Sequence, residues 1–157
     1  MIRKAKIQDI KQIQLLINNF AKQDLMLSKS LNELYEHLRD FWVIEEGKKI
    51  IGCAAMHISW DDLAEIKSLA VAKNKQKKGL GRELVSACIE EAKEIGAKKI
   101  FVLTYKSGFF KKFGFRRIKS SSLPHKIWAE CINCCKFPDC QEVAMVKQLS
   151  PTSTQII

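Results

Sequence analysis

The stretch with the clearest chemical meaning is Gln76-Lys77-Lys78-Gly79-Leu80-Gly81-Arg82, with Lys75 just before it. Two glycines sit among cations immediately ahead of an amphipathic helical pattern. Glycine lets an anion approach the backbone without meeting a side chain. The first turn of a helix presents N–H groups that lack intrahelical partners, at the positive end of the helix dipole. Together these features describe a grip for phosphate. The nucleoside-triphosphate loop is excluded, because no Gly-Lys-Ser/Thr closes the stretch. The dinucleotide fingerprint is excluded too, because its third glycine is missing.

Elements on either side must hold this loop. Residues 64–71 read as a strand ending in Leu69, Ala70 and Val71. A helix from about Arg82 places Leu84, Val85, Cys88, Ile89, Ala92 and Ile95 along one face, and Gly96 is a natural stop. The apolar run 99–104, KIFVLT, is expected to be a strand buried on both faces. Upstream, residues 2–5 read as a first strand. Asp9 is expected to cap a helix carrying Ile10, Ile13, Leu16, Ile17 and Phe20. Ser30 and Glu33 form a capping-box pattern for a second helix with Leu34, Tyr35 and Leu38. Strands at 41–44 and 50–58 flank a turn at Glu46-Gly47-Lys48. Downstream come a short helix at 108–113, a strand after Gly114-Phe115, an irregular stretch at 120–140 and a last strand at 142–147. The order is mixed α/β, expected as one domain over 1–149 followed by a flexible tail at 150–157.

Composition narrows the function class. The chain has 157 residues, is 46% hydrophobic and 28% charged, and so has enough apolar surface for a core. No run is long and apolar enough for a transmembrane helix, and the opening MIRKAKIQDIKQ lacks the apolar centre of a secretion signal, so a cytoplasmic protein is expected. The net charge of +10 suits a polyanionic partner but selects none. Of the six cysteines, Cys53 and Cys88 lie within apolar patterns and read as core residues. The others crowd into CINCCKFPDC, where Cys131, Cys134 and Cys140, with His125 or Cys135, have spacing that could hold a metal. Only one Cys-x-x-Cys is present, where a strong zinc signature has two paired elements, and no metal is assigned.

The loop, set between that hairpin and strand and the following helix and buried strand, resembles the Gln/Arg-x-x-Gly-x-Gly/Ala signature of the GNAT acetyltransferase superfamily. FFKKFGF resembles the family's helix-to-strand junction, and the likeness covers about residues 1–118 and the final strand. It implies a GNAT fold of the α/β (α+β) class, with a mixed, mostly antiparallel central sheet flanked by helices. The sheet would be parallel where the central strand meets the strand after the long helix. It also implies acetyl-CoA as cosubstrate. The backbone of Gln76, Lys77, Lys78, Gly79, Leu80, Gly81 and Arg82 would bind its pyrophosphate, with Lys75 and its basic neighbours adding charge. Leu69, Ala70 and Val71 would hold the pantetheine arm where two strands splay, and an N–H of Ala70 or Val71 would polarise the thioester carbonyl.

In such enzymes an amine attacks the thioester directly, so a base must first take its proton. Glu65 stands at a strand position where the family often carries that base; facing solvent or pairing with Lys67 explains it equally. Many members use a Tyr ahead of Gly-Phe as leaving-group acid, but Phe110 stands there, so Tyr105 takes the role in this reading.

A narrower resemblance links LSKSLNELYEHLRDFWVIEE, AEIKSLAV, FVLTYKSGFFKKFGF and LPHKIWAECINCCKFPDC to short bacterial amino-acid N-acetyltransferases that make N-acetylglutamate. It implies acetyl transfer to the α-amine of L-glutamate, the entry step of arginine biosynthesis. Glutamate's two carboxylates call for cations and donors. Lys29 stands where the family commonly has Arg, with Ser30, Lys67 and Lys126 as further substrate-binding candidates. Helix capping accounts equally for Ser30, and a plain surface charge for Lys126. No nucleic acid or membrane is expected as a partner, and a homodimer is compatible with this reading. The alternatives are a GNAT enzyme for another amino acid, a small amine or a protein N-terminus. A non-catalytic nucleic-acid or metal-binding module is the rival from a different class; no aromatic RNA platform or DNA-binding motif supports it.

Overall fold

In a computed structural model that describes residues 1–23, 26, 28–124 and 142–149, the chain forms two compact units. The first comprises Met1–His57 and Ile66–Ala92, the second Ile58–Glu65 and Lys93–Ile157. His125, Lys126, Cys131, Cys134, Cys135, Cys140 and the tail at 150–157 lie outside the described residues.

The first unit carries strands β1 (Ile2–Lys4) and β2 (Phe41–Glu46), most of β3 (Lys49–Trp60), the later part of β4 (Leu63–Val71), and helices α1 (Ile10–Ala21), α2 (Leu31–Glu36) and most of α3 (Leu80–Ile95). Its strand order is β1-β2-β3-β4, with β1, β2 and β3 antiparallel. The hairpin between β2 and β3 closes at Glu46↔Lys49 around Gly47 and Lys48, both with positive φ (52° and 67°), as a two-residue turn matched to strand twist requires. Helical spacing on α1 puts Ile10, Ile13, Leu16 and Ile17 in a core with Leu34, Phe41, Val43, Cys53 and Ala70. Helix α3 buries Leu84, Val85, Cys88, Ile89 and Ala92. Gly52 of β3 is where α3 comes close: a Cβ there would lie 3.2 Å from Leu84 Cδ1. Burial pushes the thiols of Cys53 and Cys88 up to about 12, so both are neutral core groups, as their apolar settings suggested.

The second unit is built on β5 (Lys99–Thr104), with α4 (Ser107–Lys111), β6 (Arg116–Ile118) and β7 (Val143–Gln148). Strand β5 runs parallel to the start of β4, from Leu63↔Lys99 to Glu65↔Phe101, and antiparallel to β7, giving the order β4-β5-β7-β6. Leu63, Phe101, Leu123, Ala144 and Val146 form its core. The sheet therefore has seven strands and is mixed, mostly antiparallel, as the family resemblance implied.

One expected cap is replaced by something else. The Ser30–Glu33 capping box forms, but Asp9 makes no side-chain cap to α1. The backbone is already helical at Asp9 (φ −84°, ψ −15°), after a single 3-10 turn, so its carboxylate turns back to the incoming strand. There it accepts the N–H of Lys6 at 2.7 Å and both arms of the Arg3 guanidinium at 2.7 and 3.0 Å. These bonds, that from Arg3 foremost, hold the Asp9 carboxyl below the usual carboxylate range despite its burial at 3% exposure. A lowered folded-state pKa contributes stability that is present above the unfolded value of about 3.9 and lost as pH falls through and below it. Asp9→Asn is therefore expected to cost about 2 kcal/mol at neutral pH, the range for a charge-assisted hydrogen bond. Urea unfolding should show that cost shrinking towards about pH 3; an equal cost at both pH values would refute the role of the charge.

Candidate functional site

The candidate loop lies wholly in the first unit, between β4 and α3. Strand β4 does not run through it as regular extended backbone: Ser68 takes φ 57°, a left-handed conformation unusual for serine. Its carbonyl accepts the thiol of Cys53 at 3.4 Å. Before this residue, Leu63 to Ile66 are buried; after it, Leu69 and Val71 are half-buried while Ala70 is buried against the α1-side core.

Beyond Val71 the chain makes one 3-10 turn at Lys73–Lys75, fixed by Ala72 N–H to Ile51 O at 2.9 Å and Lys75 N–H to Ala72 O at 2.8 Å. The Gln76 side-chain amide then reaches back to the Val71 carbonyl at 2.9 Å, fastening the loop to the strand end. Its backbone N–H points to Lys73 O at 3.5 Å, beyond the usual range for such a bond. Lys77 (φ 65°) and Gly79 (φ 82°) both adopt left-handed backbone, which glycine meets without strain and lysine does not. Helix α3 starts at Leu80, two residues ahead of the expected Arg82, and its first bond runs from Glu83 N–H to Gly79 O at 3.1 Å. Helix geometry thus leaves the N–H groups of Leu80, Gly81 and Arg82 without intrahelical partners. Gln76, Lys77, Lys78, Gly79 and Arg82 are at least partly exposed, so donors and cations meet solvent together. Lys75 is engaged elsewhere. Its ammonium bonds Glu46 at 2.6 Å, tying the loop to the end of β2 and holding the Glu46 carboxyl below its ordinary value.

The proposed acid–base groups belong to the second unit. Glu65, on the stretch of β4 paired with β5, is 7% exposed, which rules out the solvent-facing alternative. Tyr105 follows β5 and is 38% exposed. Phe110 is buried and meets Phe109 and Phe115 edge to face, a packing residue.

On the substrate side, Lys29 is placed by α1. Its N–H donates to Asn18 Oδ1 at 3.2 Å, and its carbonyl accepts from Gln14 Nε2 at 3.2 Å. Its ammonium lies 3.8 Å from Glu33. Ser30 caps α2 through Glu33 N–H, and Lys67 is half-buried on β4. Gln14 and Asn18 escaped sequence reasoning because a polar residue on a helix carries no sign of what it will hold. Ser68 escaped it because serine does not announce a left-handed backbone as glycine does.

A family model described as "Acetyltransferase (GNAT) family" matches residues 7–115. An uncharacterized N-acetyltransferase of Chlorobaculum tepidum is 40% identical over 94% of this chain and 96% of its own length. An amino-acid acetyltransferase of Mycobacterium tuberculosis is 32% identical over 83% of this chain and 76% of its own. Among solved structures, N-acetylglutamate synthase from Neisseria gonorrhoeae, complexed with coenzyme A and N-acetyl-glutamate, superposes with a TM-score of 0.87 at 28% identity. The match covers 96% of this chain and 35% of that one.

The left-handed backbone at Ser68 orders two substitutions. Ser68→Gly should be at least as stable as the parent, and Ser68→Val less stable by about 1–2 kcal/mol, because a branched side chain is disfavoured there. Chemical denaturation measures both, and the reverse order would refute the conformation.

Proposed function

The chain belongs to the GNAT family of acetyltransferases, and from that membership we propose that it moves the acetyl group of acetyl-CoA to the α-amine of L-glutamate. The observation that carries the reading is the turn from Gln76 to Arg82: fastened to β4 through Gln76 and Val71, it opens α3 with exposed donors and cations. That is the grip a pyrophosphate needs. In it, Gln76, Lys77, Lys78, Gly79, Leu80, Gly81 and Arg82 bind the pyrophosphate, while Leu69, Ala70 and Val71 hold the pantetheine arm.

In this mechanism the amine nitrogen attacks the thioester carbonyl carbon and the carbon–sulfur bond then breaks, giving the N-acetyl product and CoA. Backbone N–H groups of Ala70 or Val71 stabilise the oxyanion as it forms. Glu65, withdrawn from bulk water, takes the amine proton directly or through one water, and Tyr105 returns a proton to the leaving sulfur. Lys29, Ser30 and Lys67 receive the substrate carboxylates. The ion pair of Lys29 with Glu33 is long and partly exposed, so a substrate carboxylate can replace it at little cost. The likeness to a relative named amino-acid acetyltransferase and to an N-acetylglutamate synthase supports this substrate class. The product would feed arginine biosynthesis. A second reading, another acceptor amine, is favoured by Lys29 itself: a lysine gives one point charge where arginine gives a two-pronged donor.

Thiol release from acetyl-CoA, measured with a panel of amino acids, polyamines and peptides, tests both. Release with glutamate above every other amine is expected; release with peptides alone would overturn the substrate. Within the glutamate reaction, Lys29→Ala should raise KM for glutamate about tenfold or more, the worth of one charge-assisted hydrogen bond, and leave KM for acetyl-CoA near its parent value. The opposite pattern would remove Lys29 from the substrate pocket.

A further inference from the structure

Two histidines and an aspartate meet at the end of α2, in a cluster that acetyl transfer does not use. His37 and Asp40 are separated by one turn of chain after α2, and Asp40 immediately precedes β2. The antiparallel pairing of Phe41 with Ala55 then brings the residue before Phe41 alongside those after Ala55, which is how His57 arrives from β3. His57 Nδ1 lies 2.7 Å from Asp40 Oδ2, and His37 Nδ1 lies 3.6 Å from that same oxygen. The rings stand edge to face, with centroids 5.2 Å apart at 84°. One ligand atom from each of the three residues falls within 4.8 Å of the others.

A hydrogen-bonded tie between β2 and β3 explains the His57 contact but leaves the second imidazole unexplained. At 3.6 Å, His37 is too far from the carboxylate oxygen for a good hydrogen bond. It stands close to the separation of two ligands sharing an ion. With metal bonds of about 2.0–2.2 Å, neighbouring ligand atoms of a tetrahedral site are about 3.4 Å apart. His57 needs to withdraw by about 0.7 Å on the same arithmetic. We propose that His37, Asp40 and His57 form a three-ligand site for a divalent transition-metal ion of the zinc class, with the fourth position open to water. Two imidazoles and a carboxylate are the nitrogen and oxygen donors such ions take. The side chains of His37, Asp40 and His57 are 51%, 25% and 33% exposed, so the ion enters directly from solvent. Once bound, it cross-links the end of α2 to β2 and β3 within the first unit. The segment it fastens begins with Lys29 and Ser30, so metal occupancy and substrate grip share one piece of chain.

Cobalt(II) titration of the intact protein, followed by visible and near-ultraviolet absorption, tests the site independently of acetyl transfer. The cysteines at 131, 134, 135 and 140 are rival ligands, and cobalt separates the two sets because thiolate ligation adds an intense charge-transfer band. The expected result is one equivalent bound with ligand-field bands and no thiolate band. His37→Gln and Asp40→Asn, checked for parental melting behaviour, should each weaken that binding at least about tenfold, since even outer-shell changes cost that much. Either variant suffices. No cobalt bound, a thiolate-type spectrum alone, or parental affinity in a folded variant overturns the proposal. Failure of glutamate to support thiol release leaves this titration unchanged, so the two readings fail separately.

Discussion

A strand that leaves extended geometry partway along stops presenting a regular ladder of backbone groups at that point. In β4 the regular extended backbone is broken at Ser68, ahead of the candidate ligand-binding stretch. Its left-handed backbone costs about 1–2 kcal/mol relative to extended geometry, and something must hold it there. Cys53, fully buried on the neighbouring strand, does so by donating its thiol to the Ser68 carbonyl. Burial raises the Cys53 pKa to about 12, so the sulfur keeps the proton it donates. Ala70, two residues on, anchors the strand again in the core formed by α1, β2 and β3. Cys53 and Ala70 thus fasten the candidate ligand-binding backbone from the interior, and Gln76 and Ile51 hold its far end.

The loop that follows is positioned by the same economy of contacts. Gln76 binds it to Val71 and Lys75 binds it to Glu46, so its two tethers reach the ends of two different strands. The net charge of +10 is consequently not one undivided surface. Arg3 is spent on Asp9 and Glu45, Lys4 on Glu91 with Trp42 beside it, and Lys75 on Glu46. Lys77, Lys78 and Arg82 remain open to solvent around the start of α3. The cations that tie the fold together differ from these in having an acidic side chain at bonding distance.

Much of this was legible beforehand. Periodicity located α1, α3 and the buried strand β5, because apolar spacing on a helix or an interior strand reflects only which faces are covered. The Ser30–Glu33 box and the Gly47 turn were legible because each is settled within a few residues. Asp9 was misread for the opposite reason. Its type allows a cap, but whether it caps depends on Arg3, which arrives from a strand whose position depends on β2. The placement of the Lys29 backbone was likewise not legible locally, because it rests on Gln14 and Asn18 of α1.

By itself, then, the order of residues determined the family, the element order, the parallel junction of β4 with β5 and the location of the candidate phosphate-binding loop. The element order and the loop follow from local patterns and motif spacing, while the parallel junction came through the family resemblance that those motifs carry. Only the tertiary structure decided that Ser68 bends the strand, that Lys75 is a tether while its neighbours are open to solvent, that Glu65 is buried, and that His37, Asp40 and His57 converge. Those outcomes depend on what a side chain meets across the sheet. Partners such as Asp40 and His57, distant in sequence, are brought together only once the register of two strands is set.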